Sequence, residues 1–321
     1  MPNVPATESL QKFIPPEHRW PVNEIWGIHD FTLGGAQNGN AFMDKMRRYG
    51  TFDDLASFAR IAQAVNYEGH KSMFEAVHTN GSNGMLMWMS QSAWPSMVWQ
   101  TYDYYYDTNA GYFGLKKACQ PLNAIFNPAT HEIVLVNITP NDENNLQVAV
   151  RLYDVTGRLL KTESSTQSIP ADSRKVISTL HTDEFSGVVF VKTYVKSSEG
   201  KDIADNFTWL NAGEKYRYAA LSQLPEAKLS VALAATATNI CTATVKNAGS
   251  SPAFMIRLKT VDAQTGEQIL PTYYSDNYFS LMPGETKTVL MEWNAVPASD
   301  RHPDFYLEAW NIPLQQLLIH P

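Results

Sequence analysis

The stretch GMLMWMSQSAWPSMVWQTYDYYY, residues 84–106, says most about how this chain folds. It begins with five consecutive apolar residues, Met85–Met89, between a glycine and a Ser-Gln-Ser sequence. An apolar run of this length with turn residues on both sides is typical of a strand that is buried on both faces. Pro95 ends any regular pairing after it, because proline has no backbone N–H to donate. We therefore expect Met85–Met89 to form a buried strand.

The same stretch is dense in aromatic residues, with three tryptophans and four tyrosines. The apolar face of a sugar ring stacks on an indole, while neighbouring amides and carboxylates bind its hydroxyls. Large rings also dominate ordinary core packing. For each ring the sequence therefore leaves two functions open, which are sugar contact and packing.

The sequence upstream of this stretch predicts helices. Residues Thr7–Phe13 and 41–50 each favour a short helix. Thr51–Asp54 is close to a capping box, and apolar residues follow it at helical spacing. Asn80–Gly84 ends this long helix. A helix, a glycine-rich turn and a buried strand together make one unit of a β/α barrel.

A complete barrel needs about 250 residues, whereas only residues 1–118 precede a change in pattern. Downstream, short alternating strands separated by turns predict two β-sandwiches of immunoglobulin-like size, at 119–221 and 222–321. Residues 1–118 are then either a small α+β arrangement or the C-terminal part of a (β/α)8 TIM barrel.

Composition argues against several classes of protein. The net charge of −7 and the sequence pI of about 5.6 give no basic surface for nucleic acid. No apolar stretch is long enough to span a bilayer, so we expect no membrane contact. Cys119 and Cys241 are expected to be free buried thiols. The eight histidines lack the spacing of metal ligands, so we expect no metal site.

Residues 84–118 resemble the last barrel strand and the following segment of glycoside hydrolase family 2. The resemblance is strongest to the branch of exo-β-D-glucosaminidases and β-mannosidases. It is carried by Gly84–Met89, Ala93–Ser96, Trp99–Gln100, Asp103–Tyr105 and Gly111–Ala118. It favours the C-terminal part of an incomplete TIM barrel for residues 1–118, followed by the two immunoglobulin-like sandwiches.

The resemblance also implies where catalysis occurs. Retaining hydrolysis needs two carboxyl groups about 5–5.5 Å apart, and this family uses two glutamates on barrel strands. By the resemblance both lie upstream of Met1, so we expect no catalytic residue in this chain and no activity from it alone. Among the acids present, Glu68 and Glu75 are expected to lie on a solvated helix face.

Substrate contacts do carry over to residues of this chain. Trp88 matches the tryptophan that floors the family's sugar subsite, and Gln91 and Trp94 are its neighbours. Asp276, Asn277 and Tyr278 resemble a loop of the last sandwich near the rim of the active site. A purely structural turn is the alternative for those three residues.

From the resemblance we therefore predict a portion of a retaining, exo-acting enzyme that cleaves terminal β-linked glucosamine or mannose from oligosaccharides and uses no cofactor. The predicted partners are a β-linked oligosaccharide and the missing N-terminal part of the barrel. The alternatives are a non-catalytic carbohydrate-binding or adhesion module and one half of a split glycosidase. Met1–Leu10 does not read as a signal peptide, although a periplasmic or secreted location is favoured for such an enzyme.

Overall fold

A helical part precedes two stacks of antiparallel sheets in the computed structural model, which describes residues 2–35, 38–82, 84–182, 184–214, 216–293 and 303–318. The helices are α1 (Thr7–Phe13), α2 (Glu24–Ile28), α3 (Gly39–Met46), α4 (Leu55–Asn80) and α5 (Ala110–Ala118). Short 3-10 turns cover Pro16–His18, Arg47–Tyr49 and Ala219–Gln223. In the described part of the chain no helix is both long and apolar enough to cross a membrane.

Helix α4 is the longest element of the helical part. It begins at Leu55 and not at Thr51 as predicted, because the Asp54 carboxylate accepts a hydrogen bond from the backbone N–H of Ser57 at 2.7 Å. Gly81 ends it in the left-handed conformation at φ 73°. Helix α5 packs against α4 so closely that any side chain at Gly114 would clash with the backbone carbonyl of Tyr67.

The predicted strand at Met85–Met89 is wrong. These residues lie in neither helix nor strand, and Leu86 is fully exposed to solvent. A strand needs neighbours to pair its backbone N–H and C=O groups. The described residues between 2 and 118 contain no strand that could supply them, so this region shows no barrel sheet.

The first sandwich packs a sheet of three strands against a sheet of four, in the orders β1-β2-β5 and β4-β3-β6-β7. Leu135 and Val191, one from each sheet, are buried in the core between them. The strands are β1 (Leu122–Phe126), β2 (Glu132–Asn137), β3 (Glu143–Asp154), β4 (Leu159–Ile169), β5 (Ser173–Thr179), β6 (Val188–Lys196) and β7 (Asp202–Asn211). All pairings are antiparallel.

The second sandwich has two four-stranded sheets, ordered β12-β10-β14-β15 and β11-β13-β9-β8. Its strands are β8 (Leu229–Ala237), β9 (Ile240–Asn247), β10 (Ala253–Asp262), β11 (Thr272–Tyr274), β12 (Phe279–Leu281), β13 (Thr286–Trp293), β14 (Pro303–Ala309) and β15 (Ile312–Leu317). The predicted β-sandwich character of the chain after residue 120 is therefore confirmed. Both cysteines are free, with Cys241 buried and Cys119 half-buried.

One aromatic core joins the three parts of the molecule. The ring of Phe254 in β10 lies 5.1 Å from Trp209 in β7 and 5.7 Å from Trp310, between centroids. Tyr49 of the helical part lies 5.9 Å from Trp310. Because these rings are all buried, the helical part is fixed against both sandwiches.

Candidate functional site

The predicted sugar-contact residues of the helical part lie on an exposed loop. Trp88 is 75% exposed and Trp94 is 46% exposed, whereas Gln91 is half-buried. An indole with this much exposed surface has apolar area free to pack against a ligand. The loop thus contains two exposed indoles and a primary amide, and this set of groups is suited to binding a sugar.

Trp94 is held in place by groups that the sequence did not single out. Its indole stacks on the ring of His29 at 4.8 Å between centroids and an interplanar angle of 19°. The Nδ1 atom of His29 lies 2.7 Å from the carbonyl oxygen of Pro95, and the backbone N–H of Met97 donates to the carbonyl of His29. Phe13 supports the other side of His29, 4.7 Å away. The only sequence signal for this support was the general aromatic content of residues 20–31.

A buried polar scaffold fixes the loop that follows Trp94. Gln63 of α4 donates to the carbonyl of Val4 at 2.8 Å and accepts from the backbone N–H of Ala110 at 2.9 Å. Asn109 donates to the carbonyl of Gln100 at 3.1 Å. Buried amides with both ends bonded are strongly oriented, so the start of the chain, α4 and the loop form one rigid unit.

Asp276 lies in a different environment, at the junction of all three parts. Its carboxylate is 2.5 Å from the ammonium group of Lys287 and 3.4 Å from that of Lys117, which also pairs with Asp205 at 3.0 Å. Burial alone would raise the pKa of the Asp276 carboxyl, but the two lysines outweigh it and hold the pKa below its usual value. Asp276 is thus an ionised structural partner.

Asn277 and Tyr278 are also buried. The Asn277 side chain accepts from the backbone N–H of Leu258 at 2.8 Å and donates to its carbonyl at 3.0 Å, as a neighbouring strand would. Tyr278 lies 5.8 Å from the guanidinium of Arg257. The structure therefore divides the predicted residues into an exposed loop and a buried, internally bonded group, and sugar contact by either group stays a prediction.

A second buried charge cluster connects α1 to the second sandwich. Arg257 bonds Glu8 and Glu308 at 3.0 Å and Asp107 at 3.1 Å, and Lys259 bonds Glu8 at 2.6 Å. Burial opposes ionisation of Glu8, yet Arg257 and Lys259 hold its pKa well below the usual range. Burial raises the pKa of Asp107 to about 7 against the attraction of Arg257, with Asp103 adding to the rise. Glu8 is therefore a paired carboxylate.

The expected solvated face of α4 is wrong. Glu75 is buried, bonds Lys71 at 2.8 Å, and accepts from the side chain of Asn206 in β7 at 2.6 Å. Glu68 accepts from the hydroxyls of Tyr49 at 2.8 Å and Tyr218 at 3.1 Å. Helical periodicity placed both acids on one face, but it could not reveal that Asn206 bonds Glu75 there and that two tyrosines bond Glu68. Among the described residues, no group of three or more histidines, cysteines or acids could hold a metal.

Known families match most of the sandwich region. A family described as "Exo-beta-D-glucosaminidase Ig-fold domain" matches residues 206–312, and one described as "Mannosidase Ig/CBM-like domain" matches residues 129–212. The exo-beta-D-glucosaminidase of Amycolatopsis orientalis is 30% identical over 302 residues, which cover 84% of this chain and 29% of that protein. The exo-beta-D-glucosaminidase of Arthroderma benhamiae is 27% identical, over 88% of this chain and 35% of that protein.

Solved structures extend the similarity to the helical part. The crystal structure of the Amycolatopsis orientalis exo-chitosanase CsxA superposes with a TM-score of 0.84 and 25% identity, over 98% of this chain and 41% of that chain. The β-D-mannosidase of Dictyoglomus thermophilum shares the fold, with a TM-score of 0.76 and 17% identity. This chain spans 29% and 35% of the length of the two curated relatives named above. The chain therefore belongs to the exo-β-D-glucosaminidase and mannosidase branch of glycoside hydrolase family 2, and its two sandwiches are immunoglobulin-like domains of that branch.

Proposed function

We propose that this chain is the C-terminal part of a retaining, exo-acting β-glycoside hydrolase that removes terminal glucosamine or mannose. Exposed indoles at Trp88 and Trp94, on a loop braced by His29, carry the proposal. Similarity to exo-beta-D-glucosaminidases supports it, since it extends over most of this chain but only a third or so of each relative. We include in this proposal the domain boundaries at 118/119 and 221/222, between the barrel part and the first sandwich and between the two sandwiches.

The exposed run Met85–Met89 supports a role within a larger barrel. An isolated apolar strand with no partner is an aggregation hazard, whereas the same run between two other strands would be buried on both faces. We infer that the remainder of the barrel covers these residues and supplies the two catalytic carboxyl groups. This chain alone would then hydrolyse nothing, and a periplasmic or secreted location stays a prediction.

A chimera tests this function. The chain would replace the matching C-terminal part of the Amycolatopsis orientalis exo-beta-D-glucosaminidase, and release of p-nitrophenol from the β-D-glucosaminide and the β-D-mannoside would be measured. We expect activity from the chimera and none from the chain alone. Trp88→Ala should lower kcat/KM at least tenfold, because it removes a stacking surface next to the reacting sugar. The matched control Tyr273→Ala, at an exposed tyrosine of β11, should have little effect.

A folded chimera that cleaves neither glycoside would contradict the proposal. The exposed indoles also favour one alternative, a non-catalytic carbohydrate-binding module. That alternative would be supported if the inactive chimera were accompanied by sugar binding to the chain alone, and if Trp88→Ala or Trp94→Ala abolished this binding without changing the melting temperature.

A further inference from the structure

A groove of about 770 Å³ separates the second half of α4 from the first sandwich. Its walls include Glu68, Lys71, Glu75, Asn127, Thr208 and Tyr216, and none of its lining residues comes from the stretch 84–106. The volume falls within the usual range for small-ligand sites. This groove is therefore a separate candidate for ligand binding.

Two carboxylates line the groove, and their environments differ. Glu75 has a counter-ion, since the Lys71 ammonium lies 2.8 Å away and also donates to the Thr208 hydroxyl at 3.0 Å. Glu68 has none at contact distance: in the ranges that the structure describes, no Lys, Arg or His nitrogen pairs with it within 4 Å. Removing a carboxylate from water without a nearby cation is costly, so Glu68 favours a positively charged ligand.

The hydrogen bonds that Glu68 accepts orient its carboxylate toward a further hydrogen-bond donor. The hydroxyls of Tyr49 and Tyr218 each donate to one of its oxygens, and the indole N–H of Trp209 donates to the Tyr49 oxygen at 2.9 Å. Burial raises the pKa of Glu68, while these hydroxyls lower it, and Arg48 and Lys71 lower it from beyond contact distance. Both carboxylate oxygens are thus oriented and still have lone pairs for another donor.

An exposed aromatic ring completes the groove. Tyr216 is 55% exposed, and the guanidinium of Arg48 lies 4.7 Å from its ring centre. The side chains of Asn127 and Thr208 add amide and hydroxyl groups to the walls. An aromatic face, an unpaired carboxylate and neutral polar groups are together the set that recognises a sugar carrying an ammonium group.

We propose that the groove between α4 and the first sandwich is an accessory binding site for amine-bearing sugar units of a β-linked glucosamine chain. Glu68 pairs with the ammonium group, and the Tyr216 ring packs on the sugar. This inference rests on the proposed function in assuming a glucosamine polymer as substrate. It adds a second contact for that polymer, away from the loop of Trp88 and Trp94.

Calorimetry on the full chain would test the site with two probes, a β-linked glucosamine pentamer and its fully N-acetylated, uncharged counterpart. We expect the charged pentamer to bind at least tenfold more tightly, because acetylation removes the ion pair with Glu68. Glu68→Gln should abolish the difference between the probes. Tyr216→Ala, at an exposed position that leaves the core intact, should weaken the charged probe at least fivefold. Tyr273→Ala is the matched control and should bind as the unaltered chain does.

Equal affinity for both probes, or affinity unchanged by Glu68→Gln and Tyr216→Ala, would overturn the groove site. Binding that Trp88→Ala removes while Tyr216→Ala preserves it would also overturn the site, yet it would agree with the proposed function. The hydrolysis assay on the chimera decides that function independently, so the two failures can be told apart.

Discussion

Apolar runs are buried in the sandwiches, whereas one equally apolar run of the helical part is exposed to solvent. In β2 of the first sandwich, Ile133 and Leu135 are fully buried and their strand pairs on both sides. In the helical part, Met85–Met89 is equally apolar, yet each of its side chains is at least 37% exposed. The difference teaches that composition defines a strand only where other strands are available to pair with it.

The exposed run is a local feature of the helical part. Trp26 is fully buried and packs edge-on against Phe31 and Phe58, at 5.7 and 5.2 Å between centroids. Tyr49 and Glu75 connect this core to the first sandwich. The helical part therefore has a core of its own and a firm contact with the sandwiches, and the loop between α4 and α5 contains its longest run of exposed apolar residues.

The largest expected effect comes from placing one charge in each region. Leu135→Asp buries an unpaired carboxylate inside the first sandwich and should destabilise the chain by about 4 kcal/mol or more, enough to abolish cooperative unfolding. Leu86→Asp, at a fully exposed position, should change the free energy of unfolding by less than about 0.5 kcal/mol. It should also reduce aggregation. Urea unfolding and light scattering would measure both, and equal destabilisation by the two changes would break the comparison.

A smaller effect is expected at the contact between the regions. Glu75→Ala leaves the buried Lys71 ammonium without a counter-ion and also removes an acceptor of Asn206, so it should cost about 3–5 kcal/mol. The exposed pair between Asp44 of α3 and Arg47, just after this helix, serves as control, and Asp44→Ala should cost no more than about 0.5 kcal/mol. Urea unfolding would measure the free energy of unfolding of both variants. Similar decreases would contradict a buried contact of Glu75 with Lys71 and with Asn206 of β7.

The smallest effect concerns pH at the contact with the second sandwich. Because the folded-state pKa of Asp107 is raised above its unfolded value of about 3.8, the folded chain binds more protons than the unfolded chain between these values. Stability should therefore fall as the pH rises from 5 to 7, by at most about 1.4 kcal/mol per pH unit from this group. Asp107→Asn should remove this contribution.

Thermal unfolding of the unaltered chain and Asp107→Asn at pH 5, 6 and 7 would measure it as a difference in slope. Burial lowers the pKa of His70 and His78. Their contribution to stability is therefore lost as the pH falls, whereas the contribution of Asp107 is lost as the pH rises. Both proteins contain these histidines, so the difference between them isolates Asp107. Parallel pH profiles would contradict the raised pKa.

The sandwiches and the helices α1 and α4 could be predicted from the sequence alone. Alternation of apolar and polar residues is a local signal, and antiparallel partners such as β1 and β2 follow one another in the chain. The strand prediction for Met85–Met89 failed because a strand that is buried on both faces needs neighbouring strands from other parts of the sequence. The partners of Glu68 and Glu75 were also hidden, since Asn206 is 131 residues from Glu75 along the chain. His29 was missed because a histidine beneath an indole has no spacing rule.

The alternating charges of Lys117, Asp205, Asp276 and Lys287 have a mechanical consequence. Lys117 belongs to α5, Asp205 to β7, and Lys287 to β13, so one cluster of charges joins the helical part to both sandwiches at a single point. A pivot at this point would have to pull ammonium groups from carboxylates in a region of low dielectric constant. A displacement of α5 relative to either sandwich would break an ion pair of Lys117, so we expect the helix and the two sandwiches to move as one body.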